Sequence, residues 1–130
     1  MQPMQTLEPA LEALAHEVIG AAIEVHRTLG PGYLESVYQN ALSHELTLRS
    51  LEHACQARVG VNYKGKDVGE GVIDILVRGQ IIVELKCVEA LHPIHEAQLH
   101  SYLNATGLGL GYLMNFKSLT LKDGLRRIIH

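Results

Sequence analysis

Gly71-Val-Ile-Asp-Ile-Leu-Val77, Arg78-Gly-Gln80 and Ile81-Ile-Val-Glu-Leu-Lys-Cys-Val88 follow one another without interruption, and their reading decides the fold. The outer segments are apolar runs of the length and composition of strands covered on both faces, and the middle one is a turn. Asp74, Glu84 and Lys86 lie inside the apolar runs. Such residues are almost never fully buried unless paired, because an isolated ion in an apolar setting costs several kcal/mol or neutralises. Side chains on a strand alternate, so Glu84 and Lys86 project from one face, about 6.7 Å apart. A three-residue connection pairs Val77 with Ile81, which sets Asp74 opposite Glu84 and Lys86 opposite Val72. A two-residue connection would turn the carboxylates to opposite faces. Facing carboxylates repel unless a cation lies between them or one takes a proton. A hard divalent cation is the economical explanation, since Mg²⁺ typically takes one or two carboxylates with substrate phosphate and water. Lys86 beside it would orient or deprotonate an attacking water and offset developing charge. An ordinary buried lysine–carboxylate pair, or the polar face of an edge strand, produces the same short pattern.

Working outward, Ala54 to Tyr63, a Lys64-Gly-Lys66 turn and Val68 to Val77 complete a three-strand meander with Ile81 to Val88. Upstream, Leu7, Leu11, Leu14, Val18, Ala22, Val25 and Leu29 recur at spacings of three and four, the stripe of an amphipathic helix. Gly30-Pro31-Gly32 interrupts it, and a second helix is expected to run to about Leu51 with Leu34, Val37, Tyr38, Ala41, Leu42 and Leu48 inward. Downstream, Pro93 opens a helix from Ile94 to Thr106 that Gly107 caps. Leu108 to Phe116 reads as a strand, and Leu119 to Ile129 as a strand or a short helix. The order α-α-β-β-β-α-β describes an α/β (α+β) domain with a mixed central sheet flanked by helices, a single domain over residues 1–130.

Composition agrees with a well-buried interior: 47% of the 130 residues are hydrophobic and 19% charged, which excludes disorder. No apolar run reaches the ~20 residues of a membrane span, and Met1 to Glu8 lacks a basic segment leading into an apolar one, so a cytoplasmic protein without membrane contact is expected. Eleven basic against fourteen acidic residues give a net charge of −3. A protein that coats phosphates would be basic, so this one must focus positive charge locally, use a metal, or leave nucleic acid alone. Cys55 and Cys87 have no metal-ligand spacing and are expected as reduced, mostly buried thiols. His92, His95 and His100, with Cys87 nearby, supply no tetrahedral zinc spacing.

The hairpin carrying Asp74, Glu84 and Lys86 resembles the core of the PD-(D/E)xK nuclease superfamily. From about Val18 to Ile128 the chain is similar to the small bacterial GxxExxY family placed in that superfamily. The naming motif stands as Gly32-Tyr-Leu-Glu35-Ser-Val-Tyr38, preceded by His26-Arg-Thr-Leu-Gly-Pro31. Val83-Glu-Leu-Lys86, Ala97-Gln-Leu-His-Ser-Tyr-Leu103 and Gly111-Tyr-Leu-Met-Asn-Phe116 follow in order. Ile73 stands where many members have proline. The resemblance implies a restriction-endonuclease-like core and a Mg²⁺- or Mn²⁺-dependent nuclease acting on DNA or RNA. It implies Asp74, Glu84, Glu35 and the Leu85 carbonyl as metal ligands and Lys86 as the catalytic lysine. Gln98 and Tyr102, four apart on one helix face, match a supporting Gln-x-x-x-Tyr feature.

Each assignment has a plainer counterpart. Glu35 near a helix start is favoured there by the helix dipole and by capping. Tyr38 reads as a packed residue with its hydroxyl near the site, Gln98 as a partner for backbone, and His95, three before Gln98, as pocket lining. A catalytically inactive nuclease-fold protein with a binding or regulatory task is the alternative to an enzyme. A core this small is expected to need a homodimer or a protein partner to grip a duplex.

Overall fold

The computed structural model describes residues 7–130, so most of the Met1–Glu8 reading lies outside the described residues. Helix α1 spans Pro9–Leu29 and α2 spans Glu35–Leu48. Strands β1 (His53–Tyr63), β2 (Lys66–Val77) and β3 (Ile81–Lys86) form the antiparallel meander. Helix α3 (Pro93–Thr106) then crosses to β4 (Leu110–Asn115), which pairs with β3 in parallel, and β5 (Leu125–Ile129) pairs antiparallel with β4. The sheet order is β1-β2-β3-β4-β5. The last segment resolves the strand-or-helix choice by using both, with a 3₁₀ turn at Lys122–Gly124 ahead of β5. Among the described residues, no helix is long and apolar enough to cross a membrane.

Two cores cover the two faces of the sheet. Val18, Ala22 and Val25 of α1 and Tyr38, Leu42 and Leu46 of α2 pack on Ile75, Val77, Ile81, Val83 and Leu85. Leu99 and Leu103 of α3 pack on the other face against Ile73, Ile82 and Leu113. Each fully buried aliphatic side chain of this kind contributes about 1.5–3 kcal/mol, and coverage from both sides explains the unbroken apolar runs of β3 and β4. The expected inward set of α2 needs correction. Leu34 precedes the helix and is 74% exposed, Leu48 is 65% exposed and Val37 is on the rim, whereas Leu46, four residues after Leu42, is fully buried. Leu34 lies before the first helical residue, and the buried stripe runs at a spacing of four through Tyr38, Leu42 and Leu46, which leaves Leu48, two positions from Leu46, on the opposite side. The thiols also differ from expectation: both cysteines are free, but Cys55 is exposed and Cys87 half-buried.

The β2–β3 hairpin has the expected parity, with Val77 paired to Ile81, Leu76 to Ile82 and Ile75 to Val83. Arg78 and Gly79 both take positive φ, and the Gln80 N–H donates to the Val77 carbonyl at 2.9 Å. Beyond Ile75 and Val83 no further β2–β3 pairing forms, so neither Asp74 and Glu84 nor Val72 and Lys86 are the ladder partners that the regular register required. The cause is a break in β2. Ile73 belongs to one core and Ile75 to the other, although regular alternation would place both on one face. Opposite the break, Gln56 of β1 has φ of +52°, and the β1–β2 pairing runs from Cys55/Ile75 to Ala57/Ile73 without a Gln56/Asp74 pair. Asp74 therefore sits at a kink where β2 turns away from β3.

Candidate active site

The fork between β2 and β3 leaves the Leu85 N–H facing β2 without a ladder carbonyl, and the Asp74 carboxylate accepts it at 2.8 Å. The N–H and C=O of one residue in an extended strand point to the same side, so the Leu85 carbonyl is also directed into the fork. The next residue is held the opposite way, its carbonyl accepting the Phe116 N–H at 2.9 Å on the β4 side. Glu84 is only 3% exposed, and its Oε1 is buried with no hydrogen-bond partner. Burial first, and then the Asp74 charge and hydrogen-bonding contact, push the Glu84 carboxyl up to about 9, with Lys86 opposing.

Lys86 lies on the α3 side. Its ammonium donates to Gln98 Oε1 at 3.3 Å, and Gln98 Nε2 donates to the Tyr102 hydroxyl at 3.5 Å. The two helix residues four apart thus form a relay that ends on the lysine. The Tyr102 ring in turn lies on Gly71 of β2, where a Cβ would meet it at 2.5 Å. Gly71 is a site-supporting residue that sequence reasoning passed over, since a glycine in a strand signals only close approach and does not name what approaches.

Glu35, the first residue of α2, stands at the rim. Partial burial and the Asp74 charge raise its carboxyl above the usual range, and Lys86 opposes them. It shares the field of the cluster, but among the described residues no group of three or more His, Cys, Asp or Glu side chains is gathered closely enough to hold a metal ion. Glu35 is therefore not packed against the Asp74–Glu84 pair, and the three histidines and Cys87 form no ligand set either. His95 accepts the His92 N–H through Nδ1 at 3.0 Å, capping the start of α3. Burial, then the Lys86 charge and His92, lower its pKa.

Tyr38 is fully buried and stacks on Phe116 at 4.7 Å. Its hydroxyl donates to the Gly30 carbonyl and accepts the Tyr33 N–H at 3.0 Å, so it ties down the loop leading to Glu35. Asn115 is the other unforeseen support. Its buried amide accepts the Val88 N–H at 3.1 Å and donates to the Val88 carbonyl at 2.9 Å, holding the chain just past Lys86. Nothing in the sequence separates this asparagine from a surface one.

A hard divalent cation fits this donor set. Two carboxylates and a backbone carbonyl at the fork are oxygen donors, and the remaining positions of an octahedral ion are ordinarily water and phosphate. The orphaned Glu84 Oε1 is an acceptor that lacks a donor or cation.

A family model described as the PD-(D/E)XK nuclease superfamily matches residues 12–128. No curated protein and no solved structure matches the chain.

Proposed function

The chain belongs to the PD-(D/E)XK nuclease superfamily, and from that membership we propose that it is a Mg²⁺- or Mn²⁺-dependent nuclease hydrolysing phosphodiester bonds of DNA or RNA. The stretch Gly32-Tyr-Leu-Glu35-Ser-Val-Tyr38 supports a GxxExxY-type nuclease, and we read the chain as a single cytoplasmic domain. The observation that carries the reading is the fork itself. It sets Asp74 against Leu85, leaves a buried oxygen of Glu84 without a partner, and brings Lys86 to the same edge.

Asp74, Glu84 and the Leu85 carbonyl would hold the ion, and Glu35 at the rim would add charge beside it. When bound, the ion supplies Lewis-acid stabilisation of the phosphoryl oxygens and a more acidic water. The protein's own part is positional. Asp74 is pinned by the Leu85 N–H, and Glu84 beside it is buried. Lys86, held by Gln98, directs its ammonium to the place where negative charge develops on the phosphate, the arrangement that contributes most in a low-dielectric site. Gln98 and Tyr102 act through Lys86 as positioning residues. Tyr38 acts further back, through the loop before Glu35.

The test is cleavage of single- and double-stranded DNA and RNA with Mg²⁺ or Mn²⁺ by wild type, Asp74→Ala and Lys86→Ala. Activity in the wild type alone is expected. Cleavage that survives both substitutions would remove the mechanism.

A further inference from the structure

The outer half of the β1–β2 hairpin takes no part in the cluster just described. From Gly60 to Glu70 every residue is exposed, so the arm stands clear of both cores. Its carboxylates are engaged within the arm: Glu70 pairs with Arg58 at 2.5 Å, and Asp67 accepts the Gly69 N–H at 3.0 Å. Lys64 and Lys66 at the tip belong to none of the ion pairs among the described residues. Lys64 Nζ lies 5.3 Å from the centre of the Tyr63 ring, and that ring is 61% exposed. The tip thus offers two lysines outside the ion pairs of the described residues, beside an exposed tyrosine.

Between the arm and α3 runs a groove of about 450 Å³, bounded by Gly60, Val61 and Asn62 on one side and Ser101, Tyr102 and Asn104 on the other. No carboxylate lines it. Tyr102 is shared: it forms the groove wall, and its hydroxyl takes the hydrogen bond of Gln98, which holds Lys86. The groove therefore starts one side chain from the catalytic lysine and leads toward the lysine-bearing tip.

We propose that this groove receives the substrate strand as it leaves the scissile phosphate, with backbone phosphates at Lys64 and Lys66 and a base against Tyr63. This deepens the nuclease reading and rests on it. Neutral hydroxyl and amide walls ending in lysines suit sugar and phosphate, the groups that take most protein–nucleic-acid hydrogen bonds. An exposed aromatic beside a cation suits an unpaired base. The two tip lysines answer part of the objection raised by the acidic composition, because they offer positive charge where the strand runs.

The experiment combines a labelled single-stranded oligonucleotide, read by fluorescence anisotropy on the Asp74→Asn protein, with hydrolysis of a small chromogenic phosphodiester by the otherwise wild-type chain. Lys64→Glu with Lys66→Glu, and separately Asn104→Glu, are all at exposed positions. Both variants should weaken strand binding roughly tenfold or more. The double variant should flatten the dependence of log affinity on log salt by about 1.4, about 0.7 for each lost single-strand phosphate contact. Hydrolysis of the small diester, which does not reach the arm, should be unchanged. Wild-type affinity and salt slope in both variants, with the small diester still hydrolysed, overturns the groove and leaves the nuclease reading standing. A wild-type chain that cleaves neither oligonucleotide nor small diester overturns both.

Discussion

Glu84→Gln in metal-free protein should make the fold more stable, and the gain should grow with pH. The folded protein pushes the Glu84 carboxyl up to about 9, against an ordinary value of about 4.5. Between those two pH values folding requires uptake of a proton, the folded state binds more protons than the unfolded one, and stability falls as pH rises. Each unit in that interval costs about 1.4 kcal/mol. Glu84 therefore costs the fold roughly 3 kcal/mol at pH 7 and roughly 6 kcal/mol near pH 9, and nothing below about pH 4.5. Glutamine matches the protonated acid in shape, stays neutral throughout, and presents a donor amide toward Asp74. Urea unfolding in chelator, from about pH 5 to about pH 9, isolates the term as the difference between the two proteins. The curves should meet at the acid end and separate steadily above it, with Glu84→Gln the more stable. Adding Mg²⁺ should raise the stability of the wild type, more so at higher pH as the competing proton is lost, and should do little for the variant. Parallel pH profiles, or a variant less stable than wild type above neutrality, would refute the claim that Glu84 is buried protonated.

Four further outcomes follow from other parts of the site. Lys86→Ala should lower cleavage by about 10²–10⁴-fold, the range for a positioned charged or proton-transferring group, while Mg²⁺ binding followed by calorimetry is retained; Gln98→Ala, which removes the 3.3 Å acceptor of the ammonium and the donor to Tyr102, should lower kcat with little change in KM. Gly71→Ala forces a methyl to within 2.5 Å of the Tyr102 ring and should cost about 1–3 kcal/mol by overpacking, measurable by urea unfolding, with a displaced Tyr102 resonance. Tyr38→Phe leaves the Gly30 carbonyl and the Tyr33 N–H without the hydroxyl and should cost about 1–3 kcal/mol, while Mg²⁺ affinity at Asp74 and Glu84 stays as in the wild type.

Much of the architecture was legible because it rests on local rules. Spacings of three and four made α1, continuous apolar runs made β3 and β4, and Pro93 with Gly107 bounded α3, where Gly107 does take the left-handed conformation. The inward set of the second helix was not legible in detail, because several apolar residues compete for the stripe: Leu34 falls before the helix and Leu48 lies two positions from buried Leu46, so both are exposed. Asn115 and Gly71 were unreadable as site supports, since their roles depend on Val88, 27 residues away, and on the Tyr102 ring.

By itself the sequence brought Asp74 and Glu84 near each other, because they lie on consecutive strands joined by a short turn, although the regular ladder pair that alternation predicts does not form. It also placed Gln98 and Tyr102 on one helix face, through the helical repeat. Only the tertiary structure decided that β2 breaks at Asp74, that the strands fork there, and that Glu84 is sealed from water with one oxygen unpartnered. Those outcomes depend on α3 closing one face and α1 and α2 the other. Desolvation, which turns two carboxylates into a site with a proton to exchange for a cation, is a property of that enclosure and not of any stretch of chain.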